Sequence, residues 1–241
     1  MFNKLFLSII FAIMILGVSC KKDPTSSTPT NVPATLNDLD GNVYNTIIIG
    51  SQVWMAENLK VTHYRNGEPI PIVTSNTGWA GLSTGAYCSF DNNNSNVNDY
   101  GLMYNWYAVN DNRNLAPEGW HIPTEDEWQQ LDRYLGMSNS EIDGTYQRGS
   151  DEGGKLKETG TSHWNSPNTG ATNSSGFSAL PGGYRTNDGS FYSIGDFGFW
   201  WSSTEYVIGA VWVRMLYHNS SLVDRATIHT SYGYSVRCIM D

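Results

Sequence analysis

The sequence predicts a mixed domain in which one clear helix accompanies short strands and long loops. A single stretch combines helix-capping signals with helical spacing of apolar residues. Several short runs of β-branched and aromatic residues lie beside turn signals. Between Gly160 and Tyr206 lies a stretch rich in Gly, Asn, Ser and aromatic residues. We expect little regular structure there, and so long a loop region in a compact domain is often functional.

Strands are predicted near both ends of the domain. Residues 42–49 and 52–55 are rich in Val, Ile, Tyr and Trp, and Gly50 and Ser51 between them indicate a hairpin turn. A meander of three strands is predicted at the C-terminal end, over residues 210–217, 222–228 and 234–239.

The clear helix is predicted to begin after Thr124 and to end at Gly136. Thr124 is a hydroxyl N-cap, and Glu127 completes a capping box three residues later. The apolar residues that follow have helical spacing: Trp128, Leu131 and Leu135. Shorter helices are candidates at residues 101–109 and 152–158.

The composition excludes several classes of protein. The chain has 241 residues, with 14 Lys and Arg against 23 Asp and Glu, for a formal charge of −9. Nucleic-acid binding needs a clustered positive surface, so we expect no nucleic-acid partner. Aromatic residues make up 13%, which is too many for a disordered chain.

The first 19 residues are predicted to be a signal peptide. Lys4 is followed by an apolar run over residues 5–18, which is shorter than the roughly 20 residues of a membrane span. Residues 16–20 (LGVSC) resemble a bacterial lipoprotein box, in which Cys20 becomes the lipidated first residue of the mature protein. The membrane is then a partner through this lipid, and the alternative is an ordinary secretory signal.

A flexible tether is predicted over residues 20–37, before a single globular domain over residues 38–241. The tether is rich in Pro, Ser and Thr and has almost no large apolar residues. Such a segment cannot bury enough surface to offset its chain entropy.

Two cysteines lie in the predicted domain, Cys88 and Cys238. In an oxidising compartment they can form a disulfide. The alternative is two buried free thiols, because the distance between the two Cα atoms decides and the sequence does not give it.

Eight ordered blocks of the sequence resemble one known family. They are residues 41–44 (GNVY), 49–59 (IGSQVWMAENL), 85–88 (GAYC), 100–109 (YGLMYNWYAV), 117–124 (PEGWHIPT), 177–185 (FSALPGGYR), 200–204 (WWSST) and 235–238 (SVRC). This looks like the Fibrobacter succinogenes major paralogous domain, common in exported lipoproteins of Bacteroidetes and Fibrobacteres, and the match covers about residues 41–241. That family resembles the C-type-lectin-like and formylglycine-generating-enzyme-like superfamily.

The resemblance implies an α+β, C-type-lectin-like domain with one or two main helices, a small twisted antiparallel sheet and long loops. It also implies a lipid-anchored protein of the cell envelope, which we expect at the outer membrane, facing the periplasm or the medium. Relatives often carry Cys at the position of Ala116. If that residue is the partner of Cys238 in them, this chain has lost the bridge.

The most metal-like segment covers residues 91–99. Its candidate calcium ligands are Asp91, Asn93 and Asp99, because carboxylate and amide oxygens suit this hard cation. The segment lacks the Gly and the Glu of an EF-hand loop, whose places are taken by Asn96 and Leu102. The alternative is an Asn-rich turn whose side chains bond to their own backbone. No other cofactor is expected.

Candidate ligand-binding residues lie in the loop-rich region. Sugar sites combine aromatic platforms with amide and carboxylate groups. Trp164 and Tyr192 are predicted to be exposed, whereas Trp200 and Trp201 are expected in the core. The proposed ligand-binding set is Trp164, Asn165, Asp188 and Tyr192.

The sequence favours a binding module over an enzyme. His121 could act as a base near Glu125 or Asp126, but a structural role at the helix start is favoured. No nucleophile elbow or phosphate-binding loop is visible. We therefore expect a membrane-anchored, non-catalytic module for a glycan or polysaccharide. The alternative is a structural or assembly component of the envelope that binds a protein partner, and an enzyme comes third.

Overall fold

A computed structural model describes residues 32–241, and it shows a mixed helix-and-sheet fold with mostly antiparallel sheets. The strands are β1 (Thr35–Asn37), β2 (Val43–Ile49), β3 (Gln52–Met55), β4 (Tyr87–Cys88), β5 (Met103–Tyr104), β6 (Trp120–His121), β7 (Tyr146–Arg148), β8 (Gly182–Arg185), β9 (Phe191–Ile194), β10 (Phe197–Val207), β11 (Ala210–Tyr217), β12 (Val223–His229) and β13 (Ile239–Met240). The helices are α1 (Asn76–Ala80), α2 (Val97–Tyr100), α3 (Trp106–Val109), α4 (Glu125–Leu135) and α5 (Glu152–Leu156). The predicted signal peptide, Cys20 and most of the predicted tether lie outside the described residues.

A five-stranded sheet has the order β1-β2-β3-β13-β6. Its β2–β3 hairpin confirms the predicted turn, because Ile49 pairs with Gln52 across Gly50 and Ser51. Gly50 has a φ of +66°, and an added Cβ would lie 2.7 Å from the ring of Tyr134 on α4. Both the backbone conformation and the close approach of helix and hairpin therefore require glycine at this position.

The first strand begins before the predicted domain boundary. Thr35–Asn37 pairs with Val43, Tyr44 and Asn45 of β2, and Leu36 is buried opposite Tyr44. The prediction that the tether runs to residue 37 is therefore wrong at its end. An isolated Leu in a Pro- and Thr-rich segment gave no strand signal, and its burial depends on the neighbouring hairpin.

A four-stranded sheet has the order β10-β11-β12-β7. It confirms the first two strands of the predicted meander, but the third prediction is wrong. Tyr234 forms an isolated bridge with Tyr104, and Ile239 pairs with strands of the other sheet. Residues 234–239 are almost wholly buried. Ser235 forms a parallel bridge with Trp200 of β10, whereas Ile239 joins the five-stranded sheet, so this segment runs from one sheet to the other.

The main helix, α4, confirms its predicted capping. The Thr124 hydroxyl accepts a hydrogen bond from the Glu127 amide, and the Glu127 carboxylate accepts one from the Thr124 amide at 2.8 Å. The helix ends at Gly136, whose φ is +119°. Its apolar face packs in a core cluster with Trp54 of the first sheet and Trp200 of the second.

The other helices are short, with four or five residues each. The predicted helix over residues 101–109 is helical only over Trp106–Val109, because Leu102 leads into β5. The predicted helix over residues 152–158 is present as α5 despite its two glycines. A Cβ at Gly153 or Gly154 would lie 2.1 Å from a backbone carbonyl, so close packing explains this pair of helix-weakening residues.

The region between Gly160 and Tyr206 contains more regular structure than predicted. The expectation of little regular structure is wrong from Gly182 onward, where β8, β9 and most of β10 follow. The loops before Gly182 are held by one buried cation, Lys157. Lys157 Nζ donates to the carbonyls of Thr169, Tyr217 and Ser220 at 2.8–2.9 Å. One buried ammonium group thus satisfies backbone carbonyls of two loops and of the end of β11.

Buried ion pairs join α4 to the four-stranded sheet. Glu125 accepts hydrogen bonds from Arg214 and Arg225, and Asp132 accepts from Arg148 and Arg214. All five side chains are buried.

Within residues 32–241, no helix combines the length and apolarity that a membrane span requires.

Candidate ligand-binding face

Trp164 is fully buried, so the prediction that it forms an exposed platform is wrong. Its indole N–H donates to the carbonyl of Ala179 at 2.9 Å, and the Lys157 ammonium lies 5.3 Å from the centre of its ring. A loop-rich sequence suggested exposure. The loop instead folds back over the core and uses Trp164 as its anchor.

The other three predicted ligand-binding residues do not meet at one point. Tyr192 on β9 is 48% exposed, as predicted. The Asn165 amide donates to the carboxylate of Asp196 at 2.9 Å. Asp188 accepts hydrogen bonds from Thr186 and Ser190 and so closes its own β8–β9 turn. Only Tyr192 therefore presents a large exposed ring to solvent.

Tyr192 belongs to a row of tyrosine rings. It pairs with Tyr184 across the β8–β9 hairpin, and the two ring centroids are 5.9 Å apart. Tyr184 in turn lies 6.4 Å from Tyr232, with the ring planes only 20° apart. Tyr184 and Tyr232 are partly buried, so the row passes from an exposed edge to a packed base.

The row continues onto the four-stranded sheet. The Tyr184 ring contacts the buried ring of Phe199, which in turn contacts Phe197. The Phe197 ring packs edge-on against Tyr217, with the ring centroids 4.8 Å apart. Phe197 and Tyr217 are partly buried cross-strand partners on the same side of β10 and β11 as Phe199. We call this surface the tyrosine face and define it by Tyr184, Tyr192, Phe197, Tyr217 and Tyr232.

Backbone pairing brings the distant segments of the tyrosine face together. The Arg185 amide donates to the Gly233 carbonyl at 3.0 Å, and the Gly233 amide donates back at 2.8 Å. This bridge sets Tyr232 beside Tyr184. The Arg185 guanidinium is buried between Trp79 and Phe191, with centroid distances of 4.4 and 4.6 Å, and this packing holds the bridge in place.

Polar groups lie beneath and beside the tyrosine face. Asp224 is 4% exposed and accepts a hydrogen bond from the Tyr217 hydroxyl at 2.7 Å, while its other oxygen has no partner. Burial raises the pKa of Asp224, and burial together with this hydrogen bond raises the pKa of Tyr217. At the edge of the face, Asp196 precedes Phe197, and its Oδ1 atom lies 3.8 Å from His218 Nε2. Aromatic surface next to amide and carboxylate groups suits a ligand with an apolar face and a hydroxylated rim.

The predicted calcium segment forms turns that use its own polar groups. The Asn93 carboxamide oxygen accepts from the Ser95 amide and hydroxyl at 3.0 and 2.9 Å. Asp91 begins a left-handed pair of residues, with a φ of 53°. In the described part of the chain, no group of three or more His, Cys, Asp or Glu side chains could hold a metal ion. The contacts of Asn93 favour the alternative of an Asn-rich turn. The third candidate ligand, Asp99, has its Oδ2 atom 4.0 Å from His163 Nε2.

Cys88 and Cys238 are both buried free thiols, so the predicted disulfide is wrong and its alternative is correct. Cys88 packs with Trp79 in one core cluster, whereas Cys238 packs with Met55 in another. Burial raises the pKa of Cys88 to about 11 and also raises that of Cys238. The two sulfur atoms are therefore held apart, each within its own core cluster.

His121 does not contact Glu125 or Asp126. Its ring nitrogens lie 2.8 Å from Glu127 Oε1 and 2.6 Å from Asp241 Oδ1. The hydrogen bond to Glu127 raises the pKa of His121; burial opposes this effect and the bond to Asp241 adds to it. The imidazole thus links β6 and the residue after β13 to the first turn of α4, which agrees with the favoured structural role.

The protein is thus a mixed helix-and-sheet domain with mostly antiparallel sheets, and a row of aromatic rings lies along one of its faces. The model of one family, the Fibrobacter succinogenes major domain, matches residues 47–240. This match covers most of the chain, so the protein belongs to that family, as the eight sequence blocks predicted. No curated protein and no solved structure shows a significant match to the chain.

Sequence reasoning missed four of the five residues of the tyrosine face: Tyr184, Phe197, Tyr217 and Tyr232. Tyr184 and Tyr192 lie on either side of the Asn187–Gly189 turn signal, which could have indicated a hairpin with paired rings. Tyr232 gave no comparable signal, because its place beside Tyr184 depends on a pairing across almost fifty residues.

Proposed function

We propose that this protein is a lipid-anchored lipoprotein of the cell envelope, at the outer membrane, whose globular domain is a C-type-lectin-like, non-catalytic binding module for a glycan or polysaccharide. The observation that carries the binding proposal is the tyrosine face, a continuous row of rings with one exposed end at Tyr192. The lipoprotein box at Cys20 and the Pro- and Thr-rich segment after it support the anchor.

Ring stacking explains why this face suits a sugar chain. The CH-rich face of a pyranose packs on tyrosine, while its hydroxyl groups need donors and acceptors at the edge. Asn165, Asp196 and His218 supply such groups beside Phe197 and Tyr217. A row of rings on a twisted surface favours an extended chain over a small enclosed ligand.

The test is a glycan and polysaccharide array probed with the mature chain carrying Cys20→Ala, with calcium and again with chelator. We expect binding that survives the chelator and weakens at least tenfold in Tyr192→Ala. Tyr134→Ala is the matched control, because Tyr134 is 64% exposed but lies on α4, which covers the opposite side of the four-stranded sheet. Equal loss in both variants, or no glycan binding at all, would contradict the proposal.

A protein partner in the envelope is the second candidate function, and a different surface favours it. The β10–β11 hairpin ends in three exposed apolar residues, Tyr206, Val207 and Ile208, with exposures of 58, 55 and 97%. The Tyr206 ring packs edge-on against Trp212 at 4.9 Å, which holds the tip in shape. An exposed apolar tip of this kind is typical of a contact with another protein.

Site-specific crosslinking tests this second candidate. A photoreactive residue at position 208, in cells that make the full chain, should capture one protein of fixed size, and the same residue at position 134 should not. Ile208→Ser should abolish a complex that depends on the tip. Capture of the same proteins from both positions would contradict a specific contact.

A further inference from the structure

A cavity lies away from the residues of the tyrosine face. Its volume is ≈ 420 Å³, within the range of small-ligand sites. It opens between the loop that precedes β4 and the loop that follows α3. Its walls are formed by Ser83, Thr84, Gly85, Trp106, Tyr107, Asn110, Asp111, Asn112 and Arg113.

Trp106 is the wall residue with an unused hydrogen-bond donor. It is 7% exposed, and its indole N–H has no hydrogen-bond partner. Buried polar groups in proteins nearly always have a partner, so an unpaired donor in a cavity wall calls for an explanation. Trp79 and Trp201, by contrast, each donate to a backbone carbonyl, at 2.9 and 2.7 Å.

Gly85 is part of the cavity wall, and the Tyr64 side chain lies directly behind it. A Cβ at Gly85 would lie 2.0 Å from the hydroxyl oxygen of Tyr64, so glycine lets the backbone lie directly on this phenol. The Tyr64 hydroxyl is buried behind this wall, beside Asp111 and Arg113.

The net charge beside the cavity is negative, which disfavours an anionic ligand. Arg113 makes two hydrogen bonds to Asp111, at 2.8 and 2.7 Å, and one to Glu68 at 2.7 Å. One guanidinium therefore faces two carboxylates, and it also stacks on the Tyr64 ring at 4.0 Å. These contacts leave Arg113 little capacity for a further anion and fix the shape of the loop after α3.

The rim carries neutral groups that both donate and accept. Asn110 and Asn112 are exposed amides, and Ser83 and Thr84 are exposed hydroxyls. The Tyr107 ring is partly buried and is held by a hydrogen bond of 3.2 Å between its hydroxyl and that of Thr230. Neutral amides around an aromatic wall match a ring with an apolar face and several hydroxyl groups.

We infer that this cavity binds one neutral hydroxylated ring, a single monosaccharide unit, with Trp106 Nε1 donating to a ligand oxygen. The ring packs against Tyr107, and Asn110 and Asn112 exchange hydrogen bonds with its hydroxyls. This inference does not rest on the tyrosine face, whose residues are all different.

The indole N–H of Trp106 provides a direct measurement. The mature chain with Cys20→Ala has nine Trp residues, so its amide correlation spectrum contains nine indole signals, and Trp106→Phe identifies one of them by its loss. Methyl glycosides of glucose, galactose and mannose are titrated into the protein. We expect at least one to shift the Trp106 signal saturably, while the signals of Trp79 and Trp201 stay in place. No saturable shift with any glycoside would overturn the inference.

Variants separate this cavity from the tyrosine face. Asn112→Ala should weaken the bound glycoside at least fivefold without changing the Tm, since Asn112 is exposed, whereas Tyr192→Ala should leave its affinity unchanged. Loss in Tyr192→Ala with full binding in Asn112→Ala would overturn the inference and place the sugar on the tyrosine face. Tetramethylammonium chloride tests the other ligand that a net negative wall could take, and a larger Trp106 shift with this cation than with any glycoside would also overturn the inference.

The free protein offers a stability comparison. Trp106→Phe removes an unpaired donor, whereas Trp79→Phe removes the same atoms and leaves the Ser231 carbonyl without its indole partner. We expect a smaller fall in Tm for Trp106→Phe than for Trp79→Phe. An equal or larger fall would show that the Trp106 N–H is paired within the protein and would count against a role in binding.

Discussion

Arg214 on β11 and Glu125 at the start of α4 form a two-pronged salt bridge inside the protein, with Nη1–Oε2 and Nη2–Oε1 distances of 2.8 and 2.9 Å. Arg225 adds a third hydrogen bond to the same carboxylate at 2.6 Å. Parallel hydrogen bonds between guanidinium and carboxylate fix orientation as well as distance. This pair therefore sets the angle at which α4 lies on the four-stranded sheet.

Glu125→Gln should destabilise the fold strongly. The change keeps the shape of the side chain but leaves Arg225 without its carboxylate partner and Arg214 with Asp132 alone. Breaking a buried ion pair costs about 3–5 kcal/mol of unfolding free energy. Asp126→Asn, its exposed neighbour in the first turn, should cost about 1 kcal/mol or less. Urea unfolding of the Cys20→Ala chain measures both, and equal effects would refute the role of the buried pair.

The stability contribution of His121 should depend on pH. The pKa of His121 is raised in the folded state, so its contribution is complete below the ordinary value of 6.5 and is lost as the pH rises through the folded-state value. Burial alone would raise the pKa of Glu127, but its hydrogen bonds to His121 and Thr124 outweigh burial and lower it. The contribution of Glu127 is therefore complete above its ordinary value of 4.5 and is lost as the pH falls through the folded-state value.

The difference in unfolding free energy between wild type and His121→Gln should thus be largest between pH 4.5 and 6.5 and should shrink at higher pH. Proton NMR of the His121 ring measures its pKa directly. Asp241→Asn should lower that pKa, because it removes one of two carboxylate partners. A difference that grows as the pH rises above 6.5 would contradict the assignment.

Cys88 and Cys238 should resist thiol reagents in the folded protein. Both are buried, and burial raises both thiol pKa values, which lowers the fraction of reactive thiolate. In the Cys20→Ala chain we expect no rapid reaction with a disulfide-exchange reagent before unfolding and two equivalents afterwards. A reducing agent should leave the Tm unchanged. A Tm that falls on reduction would reveal a disulfide.

Trp164→Ala should mainly lower the stability of the fold, whereas Tyr192→Ala should mainly weaken glycan binding. Removal of the buried Trp164 leaves a cavity and should cost about 3–5 kcal/mol of unfolding free energy. Tyr192→Ala truncates a half-exposed ring and should cost about 1 kcal/mol or less. Thermal unfolding and glycan binding measured on the same samples distinguish the two. A stable Trp164→Ala protein that has lost its ligand would restore the sequence-based site.

Local signals account for the parts of the fold that were predicted well. The capping box of Thr124 and Glu127 and the stop at Gly136 act within one or two turns of helix, so they can be read from neighbouring residues. The β2–β3 hairpin is likewise decided by its two turn residues and the alternation around them. The family was predicted from eight sequence blocks that follow one another in the family's order, and matching them requires no knowledge of which residues are in contact.

The candidate site was predicted less well, because exposure is not a local property. Trp164 and Tyr192 stand in similar Asn- and Gly-rich surroundings, yet one is fully buried and the other is half exposed. The difference arises because Lys157 draws the loop around Trp164 onto the core, while Tyr192 lies on a hairpin at the surface.

By itself, then, the sequence determined the family, the main helix, the first hairpin and two strands of the second sheet, since these depend on short-range capping, turn and alternation patterns. Only the tertiary structure decided that residues 234–239 run from one sheet to the other, that Cys88 and Cys238 lie in separate core clusters, and that three distant segments form the tyrosine face. Each of these depends on which surfaces remain to be buried once the two sheets pack. That choice depends on residues far apart in the sequence, such as Arg185 and Gly233, whose backbones pair, and no local pattern encodes it.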